Sequence, residues 1–179
     1  FSQITGDDFS LLVIIPVESG KDRLKTCLES INRYCWFIEY EIGVIGKKEY
    51  IEQALSDVPD DIQKKVSLHF LNEGESVNEK VNKICNESKN HYILLLHPRV
   101  KLIEKSLLPL IEVVKSKKAV AVTPKIISPR GILLEAGCSF LNGQGWSGRG
   151  EGLPKEDHRF NNVCEIGSGS RFCMLLSKD

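Results

Sequence analysis

The hydrophobic residues of this chain form short apolar runs that alternate with stretches of helical periodicity. The runs that are typical of strands are residues 11–15, 41–46, 66–71 and 91–96. The stretches in which apolar side chains recur every three to four residues are 22–34, 47–58, 76–88 and 106–114. Because strands and helices alternate strictly, the pattern predicts a mostly parallel sheet with right-handed crossovers and helices on both faces.

Local polar residues mark where several of these elements begin and end. Ser76 is followed three residues later by Glu79, which is the spacing of a capping box. We expect Ser19 or Gly20 to cap the first helix and Ser106 to cap the last one. Pro16 is expected to stop the first strand.

The pattern changes beyond Pro124. Residues 126–127 and 132–136 flank a Ser128–Gly131 turn and predict a hairpin, and the glycine-rich stretch 137–152 is predicted to be a long loop. Residues 171–176 are apolar and predict a final strand. Since no internal repeat or second domain is visible, we expect residues 1–179 to form a single domain.

Composition removes several classes of function. The 179 residues carry 24 basic and 24 acidic side chains, so net charge gives no reason to expect nucleic acid as a partner. No apolar run is long enough to span a membrane and no signal peptide is visible, which predicts a cytoplasmic protein.

The six cysteines have no zinc-ligand spacing and are expected to be reduced thiols. Because the chain begins at Phe1, we expect a fragment of a longer protein, with further domains or a homo-oligomer left open.

The most informative stretch is the polar corner that follows the all-apolar run 91–96. A strand buried on both faces runs here directly into His97, Pro98 and Arg99. Ligands of open α/β sheets bind at the carboxyl ends of the strands, near the switch in strand order. We therefore expect the exits of the first, second and fourth strands to form the binding site.

Several motifs, in their order and spacing, resemble those of the family 2 glycosyltransferases of the GT-A type. The matching segments are Leu11 to Val17, Glu41 to Gly46, Asn72 with Gly74, Asn82, Tyr92 to Pro98, Gly131, Glu135 to Gly137, Trp146, Gly148 to Gly150 and the final strand. The resemblance implies a Rossmann-like, three-layer α/β domain with a mostly parallel central sheet, a C-terminal hairpin and a long glycine-rich loop. It also implies transfer of a sugar from a nucleotide-diphospho-sugar to a glycan or another acceptor, as in polysaccharide biosynthesis.

The resemblance assigns candidate residues to two parts of such a site. Those for the donor nucleotide are Pro16, Glu18, Gly46, Lys47, His97 and Arg99. Those for the acceptor or the loop over it are Glu135, Trp146 and Arg149. Several of these residues also have a simpler interpretation. His97 would be a strand-end histidine bonded to its loop, and Lys47 and Arg99 would be solvated basic side chains. Glu135 would be structural, and Trp146 would anchor its loop.

The chain departs from the family where the metal is bound. The position of the metal-binding aspartate is Arg99, that of the first residue of the motif is His97, and the acidic exit of the second strand is replaced by Gly46, Lys47 and Lys48. The aspartate before the last strand aligns with Gly167. The segment that supplies the catalytic base in the family would follow Asp179, so no catalytic residue is assigned.

Three hypotheses follow from this departure. Arg99, His97 and Lys47 could supply the positive charge that a divalent cation supplies elsewhere, giving a transferase without a metal. The domain could instead be an inactive binding or assembly module of a larger glycan-biosynthesis protein. In the third hypothesis, Mg²⁺ or Mn²⁺ is held by ligands from outside the usual motif, with Glu18 or residues beyond 179 involved.

Overall fold

The computed structural model describes residues 9–20, 23–117, 119–141 and 145–178. The strands are β1 (Ser10–Val17), β2 (Glu39–Gly46), β3 (Val66–Phe70), β4 (Tyr92–Leu96), β5 (Ala121–Val122), β6 (Ile126–Ile127), β7 (Leu133–Glu135), β8 (Cys138–Leu141), β9 (Gly145–Gly148) and β10 (Cys173–Ser177). The helices are α1 (Leu24–Tyr34), α2 (Lys48–Leu55), α3 (Asp60–Gln63), α4 (Val77–Glu87) and α5 (Leu108–Lys117), with a 3₁₀ turn at His158–Phe160.

Six strands form one sheet in the order β3-β2-β1-β4-β10-β5. Strands β1 to β4 are parallel to one another, whereas β10 is antiparallel to both β4 and β5. The chain moves outward from β1 to β3 and then returns to place β4 on the other side of β1. The strand order therefore switches between β1 and β4, and the predicted α/β fold is confirmed.

The two faces of the sheet are covered unequally. Alternate residues of β1 point to opposite faces, so Leu11 and Val13 join the larger core while Leu12 and Ile14 join a smaller one. The larger core receives the apolar sides of α1, α2, α3 and α5. The smaller core is covered by α4, of which Ile84 is the buried residue. The strands are thus held from both sides, as their apolar runs predict.

Two predicted strand and loop boundaries are wrong. Pro16 lies inside β1, because pairing with β2 continues to Val17 and Gly46 while pairing with β4 ends at Ile14 and Leu95. The predicted loop 137–152 contains the hairpin β8–β9, in which Phe140 lies opposite Trp146. Residues 142–144, which join these strands, lie outside the described part.

Of the three predicted helix caps, one is confirmed and two are wrong. The capping box of α4 is confirmed: the Glu79 amide donates to the Ser76 hydroxyl at 3.2 Å, and the Ser76 amide donates to Glu79 at 2.8 Å. Helix α1 instead begins after Arg23, which makes no side-chain cap, so neither Ser19 nor Gly20 caps it. The buried Ser106 hydroxyl has no hydrogen-bond partner among the described residues, so it does not cap α5.

A C-terminal unit of two small hairpins, β6–β7 and β8–β9, follows β5 along the chain. Its turns depend on glycine: Gly131, Gly137 and Gly150 have φ values of +75° to +77°, in the left-handed region. A Cβ at Gly150 would also lie 2.9 Å from the Phe160 ring. Among the described residues, no helix has the length and hydrophobicity needed to cross a membrane.

Candidate functional site

The parallel strands end together at one side of the sheet, which we call the carboxyl edge. It consists of residues 16–18 at the end of β1, 46–47 at the end of β2 and 97–99 after β4, together with 170–172. The last segment belongs to this edge because β10 is antiparallel to β4 and starts with Cys173 opposite Leu96. The edge includes the switch between β1 and β4, where open α/β sheets bind ligands.

Gly46 allows the exits of β1 and β2 to lie in contact. A Cβ on Gly46 would be 2.4 Å from the backbone oxygen of Val17, a distance that no real side chain tolerates. The Gly46 carbonyl also accepts a 3.0 Å hydrogen bond from the Leu71 amide, which ties the exit of β3 to that of β2. Glycine is therefore required here by packing of the backbone, whatever ligand the edge binds.

His97 is held in place by its neighbours on both sides. Its amide donates to the Phe172 carbonyl at 2.8 Å, and its ring packs edge-on against the Phe172 ring with centroids 5.5 Å apart. The Arg99 amide donates to His97 Nδ1 at 3.1 Å. Because Nδ1 accepts this bond, the neutral ring carries its proton on Nε2. The simpler interpretation, a strand-end histidine bonded to its own loop, agrees with these contacts.

A further basic residue at this edge, Arg171, was not predicted as a site residue from the sequence. The Arg171 guanidinium lies 5.0 Å from the centre of the Phe172 ring, which in turn packs on His97. Residues 171–176 were predicted as a strand, but β10 begins at Cys173, which leaves Arg171 outside it. An antiparallel assignment of that strand would have placed Arg171 at the carboxyl edge, because such a strand begins where its parallel neighbours end.

The side chains of the carboxyl edge are mainly basic. Lys47 is exposed immediately before α2, with its ammonium 5.7 Å from the centre of the Tyr50 ring. Arg99 and Arg171 are also exposed, and Glu18 supplies the carboxylate of the β1 exit. The predicted donor residues are thus brought to one edge of the sheet, where positive side chains outnumber negative ones.

The residues of this edge do not fit a divalent cation. Mg²⁺ takes oxygen ligands in near-octahedral geometry, and Mn²⁺ is suited by carboxylate and carbonyl ligands. At the corner of β4, Arg99 occupies the position where a carboxylate would be needed, and His97 Nδ1 already accepts the Arg99 amide. Within the described ranges, no group of three or more His, Cys, Asp or Glu residues is placed to hold a metal ion.

Glu135 is buried in the C-terminal hairpins, with 6% of its surface exposed. The Cys138 thiol lies 3.9 Å from Oε2, while no residue in the described part of the chain bonds the buried Oε1. Burial and the nearby Glu135 raise the pKa of the Cys138 thiol, so this cysteine is not an activated nucleophile. The absence of a side chain at Gly148 makes room for Glu135, since a Cβ there would lie 3.1 Å from that of Glu135.

The other two predicted acceptor residues lie on or beside β9. The Arg149 guanidinium lies 3.1 Å from the Cys164 sulfur and 5.9 Å from the centre of the Phe160 ring, so it braces the loop that follows the hairpins. The side chain of Trp146 lies outside the described part of the chain. Cys138 pairs with Ser168, two residues before the carboxyl-edge segment 170–172, which links the hairpins to that edge.

A separate cavity of about 380 Å³ lies between α4 and strands β2 and β3. Its lining includes Gly43, His69, Lys80, Lys83 and Glu87, and none of the predicted site residues. Burial, assisted by the charge of Lys80, lowers the pKa of His69 below its usual 6.5. Charges of both signs line this cavity, so it has no clear preference for an anion or a cation.

No family model and no curated protein matches this sequence. Solved structures with a similar fold include a protein assigned as a glucose-1-phosphate thymidylyltransferase from Bacillus anthracis, with a TM-score of 0.53, 11% identity and coverage of 93% of this chain and 71% of that one. Another is the 4-diphosphocytidyl-2C-methyl-D-erythritol synthase of Anaerococcus prevotii, with a TM-score of 0.50, 12% identity and coverage of 96% and 71%. These likenesses support the assignment of the fold as a Rossmann-like α/β domain.

TarS from S. aureus is also similar over part of the chain. The TM-score is 0.49 and the identity is 14%, over 69% of this chain and 37% of the TarS structure. This chain therefore spans little more than a third of that structure, which comprises TarS residues 1–349, and 24% of another structure of TarS.

Proposed function

We propose that this chain is the donor-binding domain of a glycosyltransferase-like protein, with the carboxyl edge as the binding site for the diphosphate of a nucleotide sugar. One observation supports this most directly: Lys47, Arg99 and Arg171 lie at the edge of the sheet that contains the switch in strand order. A diphosphate is an anion with oxygens in the geometry that arginine forks match.

The chemistry of sugar transfer explains why positive charge is needed there. The acceptor hydroxyl attacks the anomeric carbon, the bond from that carbon to the diphosphate oxygen breaks, and the nucleoside diphosphate leaves with the electron pair. Cations fixed beside the leaving oxygens stabilise this charge as it develops. One ion pair at ~4 Å with an effective dielectric constant of about 20 is worth roughly 4 kcal/mol before desolvation is subtracted.

Glu135, Trp146 and Arg149 are proposed to form the acceptor side of the same site. Glu135 is buried and Arg149 contacts Cys164 and Phe160, so these two are proposed to position the hairpins. Trp146 is proposed to stack on a sugar face, as aromatic side chains on such loops can. The proton of the hydroxyl would pass to a base, and no described residue is assigned to that role.

A second candidate function is a binding or assembly module without transfer activity. It is favoured by Arg99, which occupies the place of the metal-binding aspartate, and by His97, whose Nδ1 is already engaged by the Arg99 amide. Both candidates predict the same fold. They differ in whether sugar is transferred from the bound nucleotide.

Thermal unfolding in the presence of UDP, GDP, CDP and dTDP tests donor binding. Ligand at a hundred times its dissociation constant stabilises the folded state by about 2.7 kcal/mol, so the matching nucleotide should raise Tm by roughly 5–10 °C for a domain of this size. Arg99→Ala should reduce that rise, whereas Arg130→Ala, which removes an exposed arginine from the β6–β7 turn, should not.

The outcomes separate the two candidates. A shift that depends on Arg99, together with sugar release from a labelled donor by the longer protein, supports a transferase. A shift without release supports a nucleotide-binding module. No shift with any of the four nucleotides, with or without Mn²⁺, contradicts donor binding at the carboxyl edge.

A further inference from the structure

Strand β3 forms one edge of the main sheet, and we propose that a second copy of this chain pairs with it in antiparallel orientation. We call this surface the β3 edge: the backbone and side chains of Val66 to Phe70 with the flanking residues 64–65 and 71–75. Strand β2 pairs with one side of β3, and its other side ends the sheet. The inference concerns assembly and is independent of the nucleotide site.

The backbone groups on the open side of β3 can be identified from its pairing with β2. The Leu71 amide donates to the Gly46 carbonyl, so Leu71 and the residues two and four before it point toward β2. The alternate residues Val66, Leu68 and Phe70 therefore direct their amides and carbonyls outward. In an antiparallel pair with the twofold axis at Leu68, Leu68 meets itself and Val66 meets Phe70, so all three residues form hydrogen-bonded pairs.

The side chains of the same three residues are apolar and incompletely covered. Leu68 is 42% and Phe70 is 39% exposed, and Val66 is partly buried against the larger core. An open strand with apolar side chains is a surface that proteins normally protect with charges, proline or another element. Pairing of two copies would remove the outward backbone groups from water and bring the apolar side chains of the two strands into contact on one face of the sheet.

Charges at the two ends of the strand favour the antiparallel arrangement. Lys64 and Lys65 precede β3, while Glu73 and Glu75 follow it. Lys65 also bonds Asn32 at 2.6 Å, and Glu75 bonds Lys80 at 3.1 Å, so the exposed Lys64 and Glu73 carry most of the new attraction. An antiparallel pair places the basic end of one copy beside the acidic end of the other, whereas a parallel pair would place like charges together.

This arrangement leaves both candidate sites accessible. Parallel strands β1 to β4 run toward the carboxyl edge, so an antiparallel pair directs the two carboxyl edges to opposite ends of a continuous sheet. The hairpin β8–β9 is bridged through Cys138 to Ser168, in the segment that leads into β10, and β10 lies toward the other end of the strand order from β3. The proposed contact therefore does not involve this hairpin.

Light scattering after size-exclusion chromatography tests the proposal across about a hundredfold range of protein concentration. The protein should approach twice the chain mass of 20.1 kDa as concentration rises. Leu68→Lys should lower the dimer fraction at least tenfold, because it places two ammonium groups together at the twofold axis. Leu134→Lys changes a side chain of similar exposure, 45%, on β7 and should leave the dimer unchanged.

Cross-linking identifies the surface and the register. Leu68→Cys, made together with Cys164→Ser to remove the exposed native cysteine, should form an intermolecular disulfide under mild oxidation. Opposed residues of a hydrogen-bonded antiparallel pair have Cα atoms about 5.5 Å apart, which suits a disulfide. Leu134→Cys in the same background should not cross-link. A monomer at all concentrations, a dimer that survives Leu68→Lys, or a dimer in which the Leu68→Cys variant does not cross-link would overturn the proposal.

Discussion

The main sheet and the C-terminal hairpins of this protein are stabilised in different ways. The strands β1, β2 and β4 are apolar and are covered on both faces, with Leu11, Ile14 and Leu94 fully buried. The hairpins β6–β9 are short and depend on left-handed glycines, on single contacts such as that of Arg149 with Cys164, and on a buried glutamate with an unpaired oxygen. The buried, close-packed sheet holds the proposed donor site at its edge, and the hairpins hold the proposed acceptor side.

This difference in packing indicates how substitutions would affect stability at the carboxyl edge and in the hairpins. A close-packed sheet transmits small changes in volume and fixes the backbone at its edge. Short hairpins with few buried side chains open locally at lower free energy than the sheet does. We therefore expect changes at the β1–β2 exits to affect the whole domain and changes in the hairpins to be more local.

The largest expected effect distinguishes two glycines of β2. Gly46→Ala places a Cβ 2.4 Å from the Val17 oxygen and should lower the free energy of unfolding by about 1–3 kcal/mol, the usual cost of overpacking. Gly43→Ala, whose Cβ would lie 3.3 Å from the His69 ring, should cost less. Urea unfolding measures both. Equal stability of the two variants would show that the β1–β2 exits are not in contact.

A smaller effect of opposite sign is expected in the hairpins. Glu135→Met replaces a buried carboxyl group, one oxygen of which is unpaired, by an apolar side chain of similar length, and should raise the free energy of unfolding by about 1 kcal/mol. Glu151→Met, at an exposed position, is the matched control. A loss of stability in Glu135→Met would mean that the carboxyl group has a partner in solution.

The sequence predicted the sheet better than the hairpins for physical reasons. The buried strands and the capping box of α4 depend on local pattern, so residues 91–96 and the pair Ser76 and Glu79 were recognised. The hairpin β8–β9 was predicted as a loop because its glycines are compatible with both structures. Its position also depends on contacts that are distant in sequence, such as the bridge between Cys138 and Ser168.

The candidate site, too, could be predicted from the sequence only in part. The carboxyl edge was predicted because the ends of parallel strands meet there, and the positions of His97 and Lys47 follow from that rule. Arg171 was missed because its location depends on the direction of β10, which the apolar pattern does not encode. The buried environment of Glu135 likewise arises from Gly148 and Cys138, on strands that the pattern did not pair.

The smallest expected effect concerns pH at the outer strand of the sheet. Burial and Lys80 lower the pKa of His69 below 6.5, with Glu87 opposing them, so the folded state favours the neutral ring. The resulting stabilisation is present above pH 6.5 and is lost as the pH falls below it, because the unfolded chain then binds the proton more readily. His69→Gln should therefore flatten the decline in the free energy of unfolding between about pH 7 and 5. The same change at the exposed His158 serves as the control. An unchanged slope in His69→Gln would mean that His69 is exposed in solution.

We propose that basic side chains at the carboxyl edge bind a nucleoside diphosphate without a divalent cation. Isothermal titration of the preferred nucleoside diphosphate in EDTA and again in Mn²⁺ tests this most directly. We expect dissociation constants that agree within about threefold in the two buffers and that weaken by about tenfold, or 1.4 kcal/mol, in Arg99→Ala. Binding that appears in Mn²⁺ alone and is unaffected by Arg99→Ala would contradict the claim.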